Sequence, residues 1–310
     1  MKMKSKSLIL IGLLLVSTNV LSTARIIGGT QVSEATQDAS YPWMTALEFN
    51  NRAVCGASLI GGQWVLTAAH CVTDEDTGVA LSAGNFSVVV NDYDLSKRSD
   101  GESRTVTEVY VADGYDTTTL DNDIAILKLA SVVTSTPIAL MSSSDFNALA
   151  DGTSLKVMGW GNVSISGDNY PNILREVDVD YANFTSCKNQ YGAIGAGVTT
   201  NMFCAGGDGQ TDSCQGDSGG PIMQLVNGAY QQVGIVSTGG TEEQSCAALN
   251  YPGIYTRISN YQSWISSVMA GNEGSASGSS SSASLGSLGG VFIFMMMLLV
   301  GSRSHIKRRV

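Results

Sequence analysis

Asp212-Ser213-Cys214-Gln215-Gly216-Asp217-Ser218-Gly219-Gly220-Pro221 is the stretch on which the reading of the fold turns. It sets a serine among glycines. A serine hydroxyl is too weak an acid to attack an amide at neutral pH unless an imidazole takes its proton. Glycines on either side leave backbone N–H groups free to hold an oxyanion. The chain has two histidines, His70 in Thr67-Ala68-Ala69-His70-Cys71 and His305 in a basic tail, so His70 is the candidate base. The segment also fits Gly-x-Ser-x-Gly, the nucleophile turn of α/β-hydrolases, where the order is serine, acid, histidine. His305 alone follows Ser218, behind an apolar stretch, so chain order rejects that fold. The acid is then sought between His70 and Ser218. Asp123, in Asp121-Asn122-Asp123-Ile124-Ala125-Ile126-Leu127-Lys128-Leu129, opens an apolar strand and suits a desolvated carboxylate that orients the base.

Composition agrees with a β-rich extracellular domain. The chain has 310 residues, 43% of them hydrophobic, enough for a large core. Short Val, Ile, Thr and Tyr runs such as 87–90, 104–111 and 232–237 read as strands between glycine turns. The main helix candidate is 261–269, at the end of the globular part. Residues 26–302 hold nine basic against 27 acidic residues, a formal charge of −18. Such an acidic surface excludes a nucleic-acid partner, which needs clustered cations.

Both ends carry sorting signals. Residues 1–24 combine three lysines, the apolar run Leu8–Val16 and small residues, as a secretory signal peptide does. Export places six cysteines in an oxidising compartment, where three disulfides are expected in one of 15 connectivities. Their spacings lack the paired pattern of zinc ligands, and no metal site is expected. Residues 271–290 form a Gly/Ser-rich linker, 291–302 a hydrophobic segment at the short edge of what spans a bilayer, and 303–310 a basic cytoplasmic tail. This tail resembles the bacterial GlyGly-CTERM sorting signal, with Ser287-Leu288-Gly289-Gly290 as its small-residue motif. The resemblance implies a bacterial protein transiently tethered to the membrane, then processed and delivered to the cell surface or medium. Three Asn-x-Ser/Thr sequons, at Asn85, Asn162 and Asn183, are then expected to stay unmodified.

Further motifs carry a second resemblance. Ile26-Ile27-Gly28-Gly29, Tyr41-Pro42-Trp43, Cys55-Gly56-Ala57-Ser58-Leu59-Ile60, Trp64–Cys71, Gly159-Trp160-Gly161 and the Ser218 segment look like the chymotrypsin and trypsin family of serine endopeptidases. The likeness spans 26–270. It implies an all-β fold of two six-stranded antiparallel barrels with the active site in the cleft between them, plus a C-terminal helix. By the same resemblance Ser218 is the nucleophile, His70 the base, Asp123 the orienting acid, and Gly216 and Ser218 supply the oxyanion hole. Arg25 marks the activation cut behind a propeptide of one to three residues (23–25), and Ile26 then pairs with Asp217. The implied disulfides are Cys55–Cys71, Cys187–Cys204 and Cys214–Cys246.

Asp212 matches the floor of the primary specificity pocket in trypsin-like members, with Ser237, Gly239 and Gly253 as its walls. That implies cleavage after Arg or Lys in protein or peptide substrates, by a monomer. Two features depart from the family: Thr238 stands where members have Trp, and the stretch from Gly239 to Cys246 is longer and holds Glu242 and Glu243. More open extended subsites favouring basic or polar residues are expected. The acidic loop from Asn91-Asp92-Tyr93-Asp94 to Asp100-Gly101-Glu102 is similar to calcium loops of some relatives, but a solvated loop is the favoured reading and no cofactor is expected. A protease-fold binding protein without catalysis is the rival class; such proteins lose a triad member, and this chain keeps all three.

Overall fold

The computed structural model describes residues 26–274 except 98 and 100; the signal peptide, Arg25, most of the linker, the hydrophobic segment and the basic tail lie outside the described residues. A short strand β1 (Thr30–Gln31) and helix α1 (Glu34–Ser40) lead into the first barrel. Its strands are β2 (Met44–Phe49), β3 (Arg52–Gly61), β4 (Trp64–Thr67), β5 (Phe86–Val90), β6 (Glu102–Val111) and β7 (Ala125–Leu129). They close in the order β2-β3-β4-β7-β6-β5, all antiparallel. Closure removes the unpaired edges that an open sheet would leave. The alternation in β6 buries Val106 while Ser103, Thr105 and Thr107 point away from the centre. Leu47, Leu59, Val65, Phe86, Val88 and Leu127 belong to the packed cluster of this barrel.

The second half adds β8 (Ala139–Leu140), α2 (Ser143–Asn147), β9 (Ser154–Gly159), β10 (Arg175–Ala182), α3 (Phe184–Ala193), β11 (Met202–Ala205), β12 (Pro221–Val226), β13 (Ala229–Thr238), β14 (Gly253–Arg257) and α4 (Gln262–Met269). Six of these strands form a second closed antiparallel ring, β9-β10-β11-β14-β13-β12 and back to β9, with β1 and β8 as appendages. Leu155, Val157, Val179, Phe203, Ile222 and Val233 lie in its core. Two six-stranded barrels and the C-terminal helix are the architecture that the motifs imply. Strands expected at 87–90, 104–111 and 232–237 lie within β5, β6 and β13.

The barrels are joined by a shared apolar cluster. Leu66, Ile124 and Ile126 come from the first half, and Ile235 comes from the second. Ile265 and Val268 of α4 seal them together. Polar ties cross the same boundary: Ser58 Oγ donates to Gln232 Oε1 at 2.7 Å, and the Gly56 N–H donates to the Ser218 carbonyl at 2.8 Å. All six cysteines are bonded, as Cys55–Cys71, Cys187–Cys204 and Cys214–Cys246, so one of 15 connectivities is realised. Loops of this size are each worth about 3 to 4 kcal/mol in the chain-entropy account.

Helix α3 is not expected from the sequence, although it is longer than α4. Its sequence Phe184-Thr-Ser-Cys-Lys-Asn-Gln-Tyr-Gly-Ala193 buries only Cys187 and Tyr191, so no broad apolar stripe announces it. Asn183 starts it, accepting the Ser186 N–H at 3.1 Å as an N-cap. The Asn162 side chain is likewise committed: its Oδ1 accepts the N–H groups of Ser164 and Asn169, and its Nδ2 donates to Gly167 O.

Candidate active site

His70 sits in a single 3-10 turn (Ala69–Cys71) directly after β4, with Ala68 and Ala69 fully buried behind it. The Cys55–Cys71 disulfide ties this turn to β3. From β3 the next residue, Gly56, holds the Ser218 carbonyl through its N–H. Two covalent neighbours and one hydrogen bond therefore bring His70 and Ser218 to the same end of the cleft, from opposite barrels.

Asp123 is fully buried and lies just before β7. Its Oδ2 is 2.7 Å from His70 Nδ1, and its Oδ1 accepts the His70 backbone N–H at 2.9 Å. Ser237 Oγ donates to Oδ2 at 2.6 Å, and Thr256 Oγ1 donates to the Asp123 carbonyl at 2.7 Å. Burial pushes this carboxyl's pKa up, but the adjacent His70 and the hydrogen bonds outweigh it and the net shift is downward. An ionised Asp123 keeps the proton on His70 Nδ1 and leaves Nε2 as the acceptor, 3.7 Å from Cys71 Sγ. Ser237, expected only as a pocket wall, thus also holds the carboxylate.

The turn carrying Ser218 is clamped at several points. Asp217 N–H donates to Cys214 O, Gly220 N–H to Asp217 O, and Gly219 N–H to Val236 O, each within 2.9 Å. Among the described residues, the N–H groups of Gly216 and Ser218 have no protein acceptor, and neither has the Ser218 hydroxyl a hydrogen-bond partner. Nucleophile–base bonds are commonly long in empty sites and tighten on binding. Gly216 has φ +94°, and a Cβ there would lie 3.1 Å from Gly161 Cα, so glycine is needed for this turn to present its amide.

Asp217 is fully buried, with Oδ1 accepting Gly161 N–H at 2.8 Å and Oδ2 accepting Cys214 N–H at 2.9 Å. A Cβ on Gly159 or Gly161 would overlap this carboxylate, which gives the Gly-Trp-Gly motif its physical reason. Burial raises its pKa to about 7. Residues 26–29 dock beside Asp212: Ile26 is fully buried in the second core, and Asp212 N–H donates to Ile27 O at 3.1 Å.

Asp212 is 2% exposed. Its Oδ2 accepts Ala247 N–H at 2.8 Å, while its Oδ1 is buried without a hydrogen-bond partner. Burial pushes its pKa up to about 7, with the Asp217 and Asp208 charges adding to the rise. Around it stand Gly253, where a Cβ would come within 2.9 Å of Asp212 Oδ1 and of the Tyr255 hydroxyl, and Gly239, adjacent to Gly253. Buried Cys214–Cys246 closes the side. Sequence reasoning missed the tyrosines here: Tyr255 supports Ser213, 3.3 Å from its hydroxyl, and Tyr191 donates to Pro252 O and accepts Gly240 N–H.

In the acidic loop, Asp92 and Asp94 serve the turn itself, whereas Glu102 accepts the N–H groups of Thr134 and Ser135. Asp92 accepts Asp94 N–H, and Asp94 accepts both the N–H and the hydroxyl of Ser96. Asp100 lies outside the described residues. The donor atoms of Cys55, His70 and Cys71 lie close together, but both sulfurs are in a disulfide and offer no thiolate.

Comparison with known proteins agrees with this arrangement. The family described as Trypsin matches residues 26–265. Trypsin-3 of Salmo salar is 38% identical over 221 residues, covering 70% of this chain and 84% of the relative. Trypsin of Xenopus laevis is 34% identical over 251 residues, covering 80% and 92%. Trypsin I-P1 of Gallus gallus is also 34% identical, covering 80% and 90%.

Proposed function

The chain belongs to the trypsin family of serine proteases, and from that premise we propose that it cleaves peptide bonds after Arg or Lys, as an exported enzyme made in precursor form. Ser218 Oγ attacks the scissile carbonyl while its proton passes to His70 Nε2. Asp123 holds the other ring nitrogen and stabilises the imidazolium. The carbonyl oxygen becomes an oxyanion that the Gly216 and Ser218 N–H groups receive; one such donor is worth about 3 kcal/mol. The C–N bond then breaks as His70 returns the proton to the leaving amine. Water repeats the sequence on the acyl-enzyme ester, restoring Ser218.

The observation that carries the specificity is the unpartnered, buried Oδ1 of Asp212. A buried carboxylate oxygen without a donor is costly, and a guanidinium or ammonium entering between Gly239 and Gly253 supplies one. The test is kcat/KM on matched Arg, Lys and Phe reporters. A preference for the cations of about 10^3-fold or more is expected; parity overturns the reading.

Activation follows from Asp217. Cleavage after Arg25 frees the Ile26 ammonium beside a buried carboxylate whose hydrogen bonds are to backbone alone. An ion pair there stabilises the turn that presents Gly216 and Ser218. Maturation at Ile26, transient tethering through 291–302 and removal near Gly289 are read together by the intact mass of the secreted protein. A mass retaining the tail would make the hydrophobic segment a permanent anchor.

A further inference from the structure

Beyond the pocket wall the chain makes a second recess. Residues Gly239 to Cys246 run past the rim, and within them Thr241 N–H donates to Gln244 O at 2.8 Å, which turns the backbone back on itself with Glu242 and Glu243 at the tip. The turn is anchored rather than loose: Gln244 Nε2 donates to the carbonyls of Cys246 and Ala247 at 3.0 and 2.7 Å. Ala247 N–H is the group that holds Asp212, so this loop and the pocket floor share one backbone. At its start, Gly240 N–H is held by the buried Tyr191 hydroxyl at 3.0 Å.

Facing this acidic tip across a groove of about 820 Å³ are Ile194, Leu249 and Tyr251. Ile194 is 43% and Leu249 64% exposed, so two large apolar side chains stand in water on one side while two exposed carboxylates stand on the other. Among the described residues neither glutamate has a cationic partner. Tyr251 packs edge-on against Tyr191, with ring centroids 5.6 Å apart, which fixes the apolar wall to the same support as the loop. A groove with one apolar wall and a negative rim is complementary to an apolar residue flanked by cations.

We propose that this groove is a second recognition site for the substrate, binding a Lys- or Arg-flanked apolar segment of the same polypeptide whose cleaved residue fills the Asp212 pocket. The inference rests on the peptidase reading above. It adds that the enzyme selects clustered-basic sequences over isolated Arg or Lys. The acidic rim, Thr241 to Gln244, follows Thr238 and Gly239 of the pocket wall directly along the chain, which puts the groove next to the Asp212 pocket.

The experiment uses peptides sharing one Arg at the cleaved bond and one leaving group, with upstream Lys-Leu-Lys, Gly-Ser-Gly or Glu-Leu-Glu segments, alongside a reporter of a single blocked Arg. For the mature enzyme, kcat/KM is expected to fall about tenfold from the first peptide to the last, mostly in KM. Half-molar salt should compress the series. The Glu242→Gln/Glu243→Gln variant should flatten it while cleaving the single-Arg reporter at the parent rate, which also certifies its folding. Leu249→Ser should weaken the Lys-Leu-Lys peptide alone. A flat series in the parent enzyme, or a gradient unchanged in the double glutamine variant, overturns the inference. A concentration-dependent dimer that Leu249→Ser dissolves would assign the groove to a second copy and overturn it as well. No turnover of the single-Arg reporter would overturn the peptidase reading, whereas turnover with a flat series overturns the groove alone.

Discussion

Two buried carboxylates, Asp123 and Asp212, stand at two ends of one cleft and are treated oppositely by the protein. Asp123 has donors on both oxygens, from the His70 ring and backbone and from Ser237, and its pKa is lowered despite complete burial. Asp212 has one oxygen held by Ala247 N–H, the other left without a donor, and its pKa is pushed up to about 7. The fold completes the charge that must remain in place through turnover. It leaves incomplete the charge that, on the proposed specificity, a cation of the substrate completes. On that proposal, satisfaction of a buried group separates machinery from recognition, where burial alone does not.

The largest break in this comparison is Asp123→Asn. An amide in that position donates where the carboxylate accepts, which favours the wrong imidazole tautomer. The variant is expected to fold and to lose about 10^4-fold in kcat, with the Arg-to-Phe ratio unchanged. Next is Asp212→Ser, which removes the unsatisfied charge. Its preference for Arg over Phe should fall by about 10^3-fold, while a burst titration still counts a reactive Ser218. If both variants lost rate and preference together, the two ends of the cleft would not be separable.

A third test concerns Asp217, whose raised pKa resembles that of Asp212 but whose missing partner would come from the chain itself. In the uncleaved Arg25→Gln form no new ammonium is made to meet this carboxylate. A carboxyl at about 7 folded and about 4 unfolded binds more protons in the folded state between those values. Stability is then lost as pH rises from about 4 to about 7 and levels off above. On the proposed activation, cleavage supplies the Ile26 ammonium, which is expected to lower the folded value and remove this loss. The melting temperature of Arg25→Gln should therefore fall across that window relative to the mature enzyme; parallel profiles would mean that Asp217 gains no cation on maturation.

Much of this was legible in the sequence, for a definable reason. His70, Asp123 and Ser218 lie in short segments whose chemistry needs particular residue types in a particular order, and that order also selected the two-barrel fold over the hydrolase fold. What the sequence does not show depends on contacts between distant segments. Tyr191 lies on a helix with almost no apolar stripe, yet its hydroxyl holds Pro252 and Gly240, 61 and 49 residues further along the chain. Gly159 and Gly161 read as a family marker, and only in three dimensions do they become the space that Asp217 occupies.

Ser237 gives the smallest and most discriminating test, because it belongs to both regions. It lies in β13 immediately before Thr238 and Gly239, on the pocket side, but its hydroxyl is spent on Asp123 Oδ2. Ser237→Ala leaves Asp123 with both bonds from His70 and removes one donor to a buried charge. A hydrogen bond to a charged group contributes about 1.5 to 3 kcal/mol, only part of which reaches the transition state. The expected loss is about tenfold in kcat, with KM and the Arg-to-Phe ratio held, since Cβ still walls the pocket. If instead KM rose and kcat held, Ser237 would serve the pocket rather than the base, and the division between the two carboxylates would have to be redrawn along β13.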